Sequence, residues 1–356
     1  MGEKVLMKGN EAIGEAAIRA NCKAFFGYPI TPQTEVAAYM AKKMPKIDRV
    51  FLQAESEVAA VNMVYGAAGT GVRCMTSSSS PGISLKAEGV SYIAGAELPC
   101  VIIDIVRGGP GLGSIQPAQS DYHQATKGLG HGDYNMPVYA PASIQEMVDL
   151  IQDAFEVADM YRTPVMVMAD GMMGQMMEPV EFKEKPAKEL PAKTWAANGL
   201  NGRKEHNVIN SLYLAPEALE LHNIHLQEKY KAIKENEVRC EIYNCEGECD
   251  LIMVAYGTTS RICKNVIKMA AKDGIKVGII RPITLWPFPA DAIEKTVGLT
   301  KNGFLSVEMS CGQMVDDVRM YVQGRKPVEF YGRSGGMIPE PTDIYDKVKE
   351  LVGGVK

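Results

Sequence analysis

The stretch Gly27-Tyr28-Pro29-Ile30-Thr31-Pro32 decides the fold. It follows the apolar run Ala24-Phe25-Phe26 and precedes a helical pattern over 33–43. An apolar strand that stops at a glycine and two prolines and resumes as a helix is one step of a strand–helix alternation. The same step recurs outward from it. Further strands are predicted at 50–52, 72–76, 101–106, 138–140 and 165–168, with helices at 57–70, 83–94 and 144–161. These strands do not alternate polar with apolar residues, so they predict a parallel sheet covered by helices on both faces. Loops at the carboxyl ends of such strands are the default place for a ligand.

A second alternating run begins at Leu251-Ile252-Met253-Val254-Ala255. Gly257-Thr258-Thr259 turns into a helix over 261–273, and strands are predicted at 276–281, 303–308 and 328–331, with a helix at 313–322. A proline-rich turn over 282–289 holds Trp286. The 356-residue chain therefore reads as α/β with two units, 1–178 and the smaller 249–356, joined by a connecting segment over 179–248. That segment is rich in charge and contains a solvated amphipathic helix over 217–236. It either wraps a neighbour or the other unit, or runs as a plain exposed linker.

Composition narrows the function. The apolar share is 46% and the charged share 23%, as in an ordinary globular protein. A net charge of −5 gives nucleic-acid binding no electrostatic support. The longest apolar stretches fall short of a membrane span, since Val101-Ile102-Ile103 meets Asp104 at once. Met1-Gly2-Glu3-Lys4 is charged and leads into no secretory apolar core, so a cytoplasmic location is expected. The eight cysteines include no Cys-x-x-Cys pair, which argues against a zinc ribbon or an iron–sulfur site and for free thiols.

Three groups could carry chemistry. Glu57 follows Ser56, a natural N-cap, and opens a helix whose face is unusually small: Ala59, Ala60, Gly66, Ala67, Ala68, Gly69. A carboxylate there complements the helix dipole, or, at the lip of a surface that a flat ring can approach, serves a heteroaromatic nitrogen. Thr31 stands between Pro29 and Pro32, which restrict the loop. Its hydroxyl either caps the next helix or is offered to a substrate carboxylate or carbonyl. Arg107 ends a strand and precedes Gly108-Gly109-Pro110-Gly111-Leu112-Gly113. Its guanidinium either makes a surface salt bridge or binds an anion with two prongs. The glycine run fails the spacing of a dinucleotide fingerprint and reads as a mobile loop over a site. Ser77-Ser78-Ser79-Ser80 follows another strand end and lines a phosphate or cofactor edge, or caps the helix after it. No Gly-Asp-Gly with a distant Asn occurs, so a magnesium-diphosphate signature is missing.

Together, Phe26 through Pro32, the Glu57 helix, the serine run and the loop after Arg107 resemble the alpha subunit of the 2-oxoacid:ferredoxin oxidoreductases. The resemblance implies a pyrimidine-type thiamine diphosphate domain followed by a transketolase C-terminal-like domain. It implies Glu57 as the acid that hydrogen-bonds N1′ of thiamine diphosphate, with Tyr28, Pro29 and Ser79 also against the cofactor. Thr31 would contact the bound 2-oxoacid and Arg107 its carboxylate. It further implies a beta subunit carrying the Mg2+-diphosphate site, an iron–sulfur subunit with [4Fe-4S] clusters, ferredoxin as acceptor and coenzyme A as co-substrate. No metal site is expected on this chain itself.

Around Arg107, from 101 to 119, there is no second Lys or Arg for a distal carboxylate. A branched-chain monocarboxylic substrate, 3-methyl-2-oxobutanoate, is therefore expected, and Gly111-Leu112-Gly113 resembles that type. The alternatives are a 2-oxoglutarate-specific member of the family, and a non-catalytic α/β scaffold or nucleotide-sensing module.

Overall fold

The computed structural model describes residues 4–183 and 188–353. The charged start of the chain, 1–3, lies outside them. The first unit contains β1 (Lys4–Lys8), α1 (Gly9–Arg19), β2 (Ala24–Gly27), α2 (Thr34–Lys43), β3 (Val50–Gln53), α3 (Glu57–Gly69), β4 (Cys74–Ser78) and α4 (Ser80–Gly95). It continues with β5 (Cys100–Val106), α5 (Tyr122–Lys127), β6 (Val138–Tyr139), α6 (Ile144–Tyr161), β7 (Pro164–Asp170), α7 (Gly171–Gln175) and β8 (Met177–Glu181). The second part contains α8 (Pro216–Asn236), β9 (Cys240–Tyr243), β10 (Leu251–Val254), α9 (Gly257–Lys272), β11 (Val277–Pro282) and β12 (Thr284–Trp286). It ends with α10 (Ala290–Thr296), β13 (Phe304–Glu308), α11 (Met314–Val322), β14 (Val328–Gly332) and α12 (Pro341–Gly353).

The main sheet has seven strands in the order β12-β6-β7-β5-β4-β2-β3, parallel except for β12. Its centre, β5, is buried along its whole length, as the apolar run predicts for a strand covered on both faces. One face packs on α1, α2 and α6 through Ile13, Met40, Ile151 and Phe155. The other packs on α3, α4 and α8 through Val64, Val90 and Tyr230. A second sheet has the order β14-β13-β10-β11-β9, parallel except for β9.

Several expectations change here. The proline-rich turn over 282–289 is in part a strand: β12 crosses to the first unit and pairs antiparallel with β6, and Trp286 meets Tyr230 edge-on at 5.9 Å. β9 falls in the stretch read as connecting segment, yet it pairs with β11 at the edge of the second sheet. The same stretch also wraps the first unit. Ile209 packs on Gly69, and Ala197 donates its N–H to the Gly69 carbonyl at 2.8 Å. α8 buries Leu226, Tyr230 and Ile233. α4 begins at Ser80 rather than 83, because Pro81 suits a first helical turn and lacks the N–H that the interior of a helix needs. The segment over 4–19 gave no sequence reading; it forms an edge ribbon with β8 and a helix with alanines and glycines on its buried side.

The two units meet through buried polar pairs. Arg281 grips Glu146 with two bonds of 2.8 and 2.9 Å, and Gln119 is bonded to the Tyr256 carbonyl and the Met309 N–H. These bonds place the carboxyl ends of β5 and β13 side by side.

Candidate active site

Glu57 is the first residue of α3. Ser56 caps the helix by accepting from the Ala59 N–H at 3.1 Å. The Glu57 side chain does not stand in solvent beside the helix end: the residue is only 6% exposed. It turns toward the start of α4, where Gly82 leaves it room. A Cβ on Gly82 would lie 2.7 Å from Glu57 Oε1 and 2.1 Å from Ser78 Oγ. About two turns further along, Gly89 brings α4 onto Val61 of α3 in the same way. Between these two glycines sits Lys86, fully buried, its Nζ without a hydrogen-bond partner. Burial pulls its ammonium down to about 8, against the opposing attraction of Glu57.

Ser78 and Ser79 also carry buried hydroxyls with no hydrogen-bond partner, as does Thr76 on the same strand. Orphaned polar groups of this kind are rare in a folded interior, and here they gather at the end of β4. None of the four serines caps α4 with its side chain. Ser79 occupies the cap position without a side-chain bond, Ser77 donates to Gln33 at 2.6 Å, and Ser80 accepts from the Arg107 N–H at 3.1 Å.

Thr31 does not cap α2. The helix begins at Thr34 after Gln33, because two prolines hold the intervening turn away from helical geometry. Thr31 is exposed, and its carbonyl rather than its hydroxyl meets Arg107. Tyr28 and Pro29 are half-buried in the same turn, and the Tyr28 carbonyl accepts from Gln33 at 3.3 Å.

Arg107 is not a surface ion-pairing residue. It is 9% exposed and donates Nη1 to the Thr31 carbonyl at 2.9 Å and Nη2 to the Leu112 carbonyl at 3.1 Å. A guanidinium has five N–H donors, so these bonds leave others free, and Nε has no partner. The glycine-rich loop after Arg107 is closed at its base by Gly108 N–H to Gln116 and Ser114 N–H to Gly108. Gly113 lies where a Cβ would be 1.9 Å from the Gly108 oxygen, so the tight loop requires glycine there.

Beside Arg107 lie two acids that the sequence reading passed over. Asp104 interrupts the apolar run of β5, and Asp121 precedes α5; both are buried. Burial, then mutual repulsion, holds Asp104 well above the carboxylate range, and burial also raises Asp121. The single charged letter inside an apolar strand was the available signal for Asp104. Lys86 had a weaker one, a lysine four residues after a glycine on a helix otherwise lined by small residues.

A cavity of about 480 Å³ opens between this loop and the ends of β13 and β14, lined by Ser80, Gly108, Asp121, Gln124, Ser310 and Cys311 among others, and by no Lys or Arg. A larger open groove, about 990 Å³, lies between α8 and residues 132–135 and contains none of the groups above.

The residues fit one end of a thiamine coenzyme. A buried carboxylate, orphaned hydroxyls and a glycine-lined helix contact suit a flat, hydrogen-bonding ring. Among the described residues, no group of three or more His, Cys, Asp or Glu side chains could hold a metal ion. Among the described residues, too, no helix is long and apolar enough to cross a membrane.

Comparison with known proteins gives the family. Residues 15–241 match the family described as pyruvate flavodoxin/ferredoxin oxidoreductase, thiamine diphosphate-binding, and residues 249–344 match pyruvate:ferredoxin oxidoreductase core domain II. The ketoisovalerate oxidoreductase subunit VorB of Methanothermobacter marburgensis is 49% identical over 350 residues, with 98% of each chain covered. The 2-oxoglutarate synthase subunit KorA of Archaeoglobus fulgidus is 37% identical, with 99% of each chain covered. The solved 2-oxoglutarate:ferredoxin oxidoreductase from Magnetococcus marinus superposes with a TM-score of 0.87 at 26% identity, over 99% of this chain and 66% of that one. A split-gene transketolase shares the fold, with a TM-score of 0.60 at 16% identity. The α/β architecture and these relationships together establish that the chain belongs to the 2-oxoacid:ferredoxin oxidoreductase family, as an alpha-type oxidoreductase subunit.

Proposed function

We propose that this subunit takes part in oxidising 3-methyl-2-oxobutanoate to its acyl-CoA and CO2, passing electrons to ferredoxin. One observation carries the substrate class: Arg107 has free donors for one carboxylate, while the adjoining cavity offers no second cation for another. The 49% identity to a ketoisovalerate oxidoreductase subunit supports the same choice.

In this reading Glu57 holds a proton against N1′ of the coenzyme's pyrimidine, with Tyr28, Pro29 and Ser79 against the ring. When bound, thiamine diphosphate supplies the electron sink for loss of CO2. Arg107 fixes the substrate carboxylate, and Thr31 lies on the substrate side of the same turn. The loop after Arg107 covers the site from water. The reading assigns 1–178 to the pyrimidine-binding domain and 249–356 to the transketolase C-terminal-like domain. It needs a beta-type subunit for the Mg2+-diphosphate and an iron–sulfur subunit for the electrons, all in the cytoplasm.

The test is substrate competition on the complex purified without oxygen, with native mass spectrometry to report its subunits and bound coenzyme. Preference for 3-methyl-2-oxobutanoate over 2-oxoglutarate is expected, with no turnover from the chain alone. Tight coenzyme binding and decarboxylation by the lone chain, or a preference for 2-oxoglutarate, would overturn it.

A further inference from the structure

Before α8 the chain carries Asn207-Val208-Ile209-Asn210-Ser211-Leu212-Tyr213-Leu214 and runs there without a turn or bend. Burial alternates along it residue by residue, as in a strand with one face on the protein. The odd-numbered side chains hold it down. Asn207 donates to the carbonyls of Thr194 and Ala196 at 2.6 and 3.0 Å. Ile209 packs on Gly69 at the end of α3, and Ser211 on Gly95 at the end of α4. The Tyr213 ring stacks on His222 at 4.8 Å, and His222 Nε2 donates to the Gly95 carbonyl at 2.7 Å. The apolar even-numbered side chains stand in the open: Val208 is 84%, Leu212 65% and Leu214 86% exposed.

The main chain of this segment is unpaired as well. Among the described residues, no N–H or C=O from 205 to 214 has a hydrogen-bond partner except those of Leu212, each bonded to the Asn210 side chain at 2.8 Å. In an extended chain the main-chain groups of alternate residues point to opposite edges. Asn210 therefore blunts the edge that carries Leu212, and the edge of Ile209, Ser211 and Tyr213 stays open. Natural proteins guard such an edge with charge or proline. Here no Lys, Arg, Asp or Glu stands between Glu205 and Glu217. The start of α8 adds Leu221 and Ile224, both exposed.

We infer that residues 207–214 form a docking strand for another subunit of the oxidoreductase. An extended apolar segment of that subunit pairs with the main-chain edge of Ile209, Ser211 and Tyr213, and the same subunit covers Val208, Leu212 and Leu214. The unpaired main chain calls for a strand, since a helix or a lipid brings no ladder of its own. The lack of charge fits a lasting partner with an apolar face rather than one steered in by charge. Relatives of this chain are subunits of larger enzymes, which supplies a lasting partner of different sequence. A second copy fits less well. The antiparallel register that matches Val208 with Leu214 sets Asn210 against Leu212 and brings Glu205 toward Glu217.

Hydrogen–deuterium exchange, resolved to single amides, tests this on the lone chain and on the complex purified without oxygen. The amides of Ile209, Ser211 and Tyr213 should exchange fast in the lone chain and about a hundredfold or more slower in the complex. Those of Val208, Asn210 and Leu214 should change far less. Leu212→Asp combined with Leu214→Asp should leave thermal unfolding of the lone chain unaltered, because both side chains are exposed. The same double variant should weaken association with the other subunits about tenfold or more, read by native mass spectrometry. Exchange that assembly leaves unchanged, or slows alike at every amide, would overturn the inference, and so would full assembly of the double variant. Slow exchange of the three amides in a lone chain that dimerises would also overturn it, in favour of a second copy. Should the double variant not fold, the wild-type exchange pattern decides alone.

Discussion

Arg107 donates through Nη1 to the carbonyl oxygen of Thr31 at 2.9 Å, joining the end of β5 to the turn after β2. The bond holds the guanidinium plane in place while leaving N–H groups for an anion. A lysine cannot bond both Thr31 and Leu112 and still present a fork. Arg107→Lys should therefore raise the KM for the 2-oxoacid roughly ten- to a hundredfold, the equivalent of about 1.5–3 kcal/mol. Steady-state kinetics of the assembled complex reads this directly; an unchanged KM would remove Arg107 from substrate binding.

Glu57→Gln keeps the shape of the side chain and its contact with α4. Decarboxylation should fall about a hundred- to ten-thousandfold, as for loss of a positioned acid–base group. The chain should still fold, with some loss of stability because the buried Lys86 ammonium loses its opposite charge. Near wild-type turnover would reduce Glu57 to a helix-end charge.

Gly82→Ala tests the geometry rather than the chemistry. The added methyl would sit 2.1 Å from Ser78 Oγ and 2.7 Å from Glu57 Oε1, so the carboxylate must move. A loss of about 1–3 kcal/mol in urea unfolding is expected from overpacking. Turnover should fall with it, and a variant that keeps full activity would show that Glu57 need not point at α4.

Lys86 gives a pH signature. Its ammonium is held at about 8 instead of the usual 10.5, so between those values the unfolded chain binds more protons than the folded one. Stability should therefore rise as pH increases through that window, by at most about 3 kcal/mol. Lys86→Met should abolish the rise. Urea melts at about pH 7 and about pH 10 compare the slopes; an equal rise in both proteins would mean that Lys86 is solvated.

Arg281 joins the two units through Glu146 and pairs with Glu241 on its neighbouring strand, with its side chain 8% exposed. Arg281→Ala leaves Glu146 without its cation, while Glu241 keeps Lys264 at 2.6 Å, and should lower stability by up to about 3–5 kcal/mol. Arg281→Met, which fills the same space without replacing the charge, should show how much of that loss is packing. Calorimetry distinguishes the two, and a separate second transition in Arg281→Ala would show that the pair couples the units.

Much of the frame was legible because strands of a parallel sheet announce themselves locally. The run at 101–106 is apolar throughout apart from Asp104, and β5 forms where that run lies. The helix over 144–161 keeps its bounds, since Ser143 caps it and its apolar face repeats at helical spacing. β12 was illegible for the opposite reason. Three residues between prolines carry no period, and only the open edge of β6 makes them a strand. β9 likewise depends on a distant partner, β11.

The sequence by itself determined the α/β class, the order of its units and the strand ends at which Thr31, Ser79 and Arg107 stand, because propensity, periodicity and glycine–proline punctuation act over a few residues. The tertiary structure alone decided what those groups touch. It placed Glu57 against Gly82, gave Arg107 two main-chain carbonyls in place of a surface acid, and brought Asp104 to Asp121 and Lys86 to Glu57. Such pairings arise from burial and from contacts between residues far apart in the chain, and neither quantity is written in any local stretch of it.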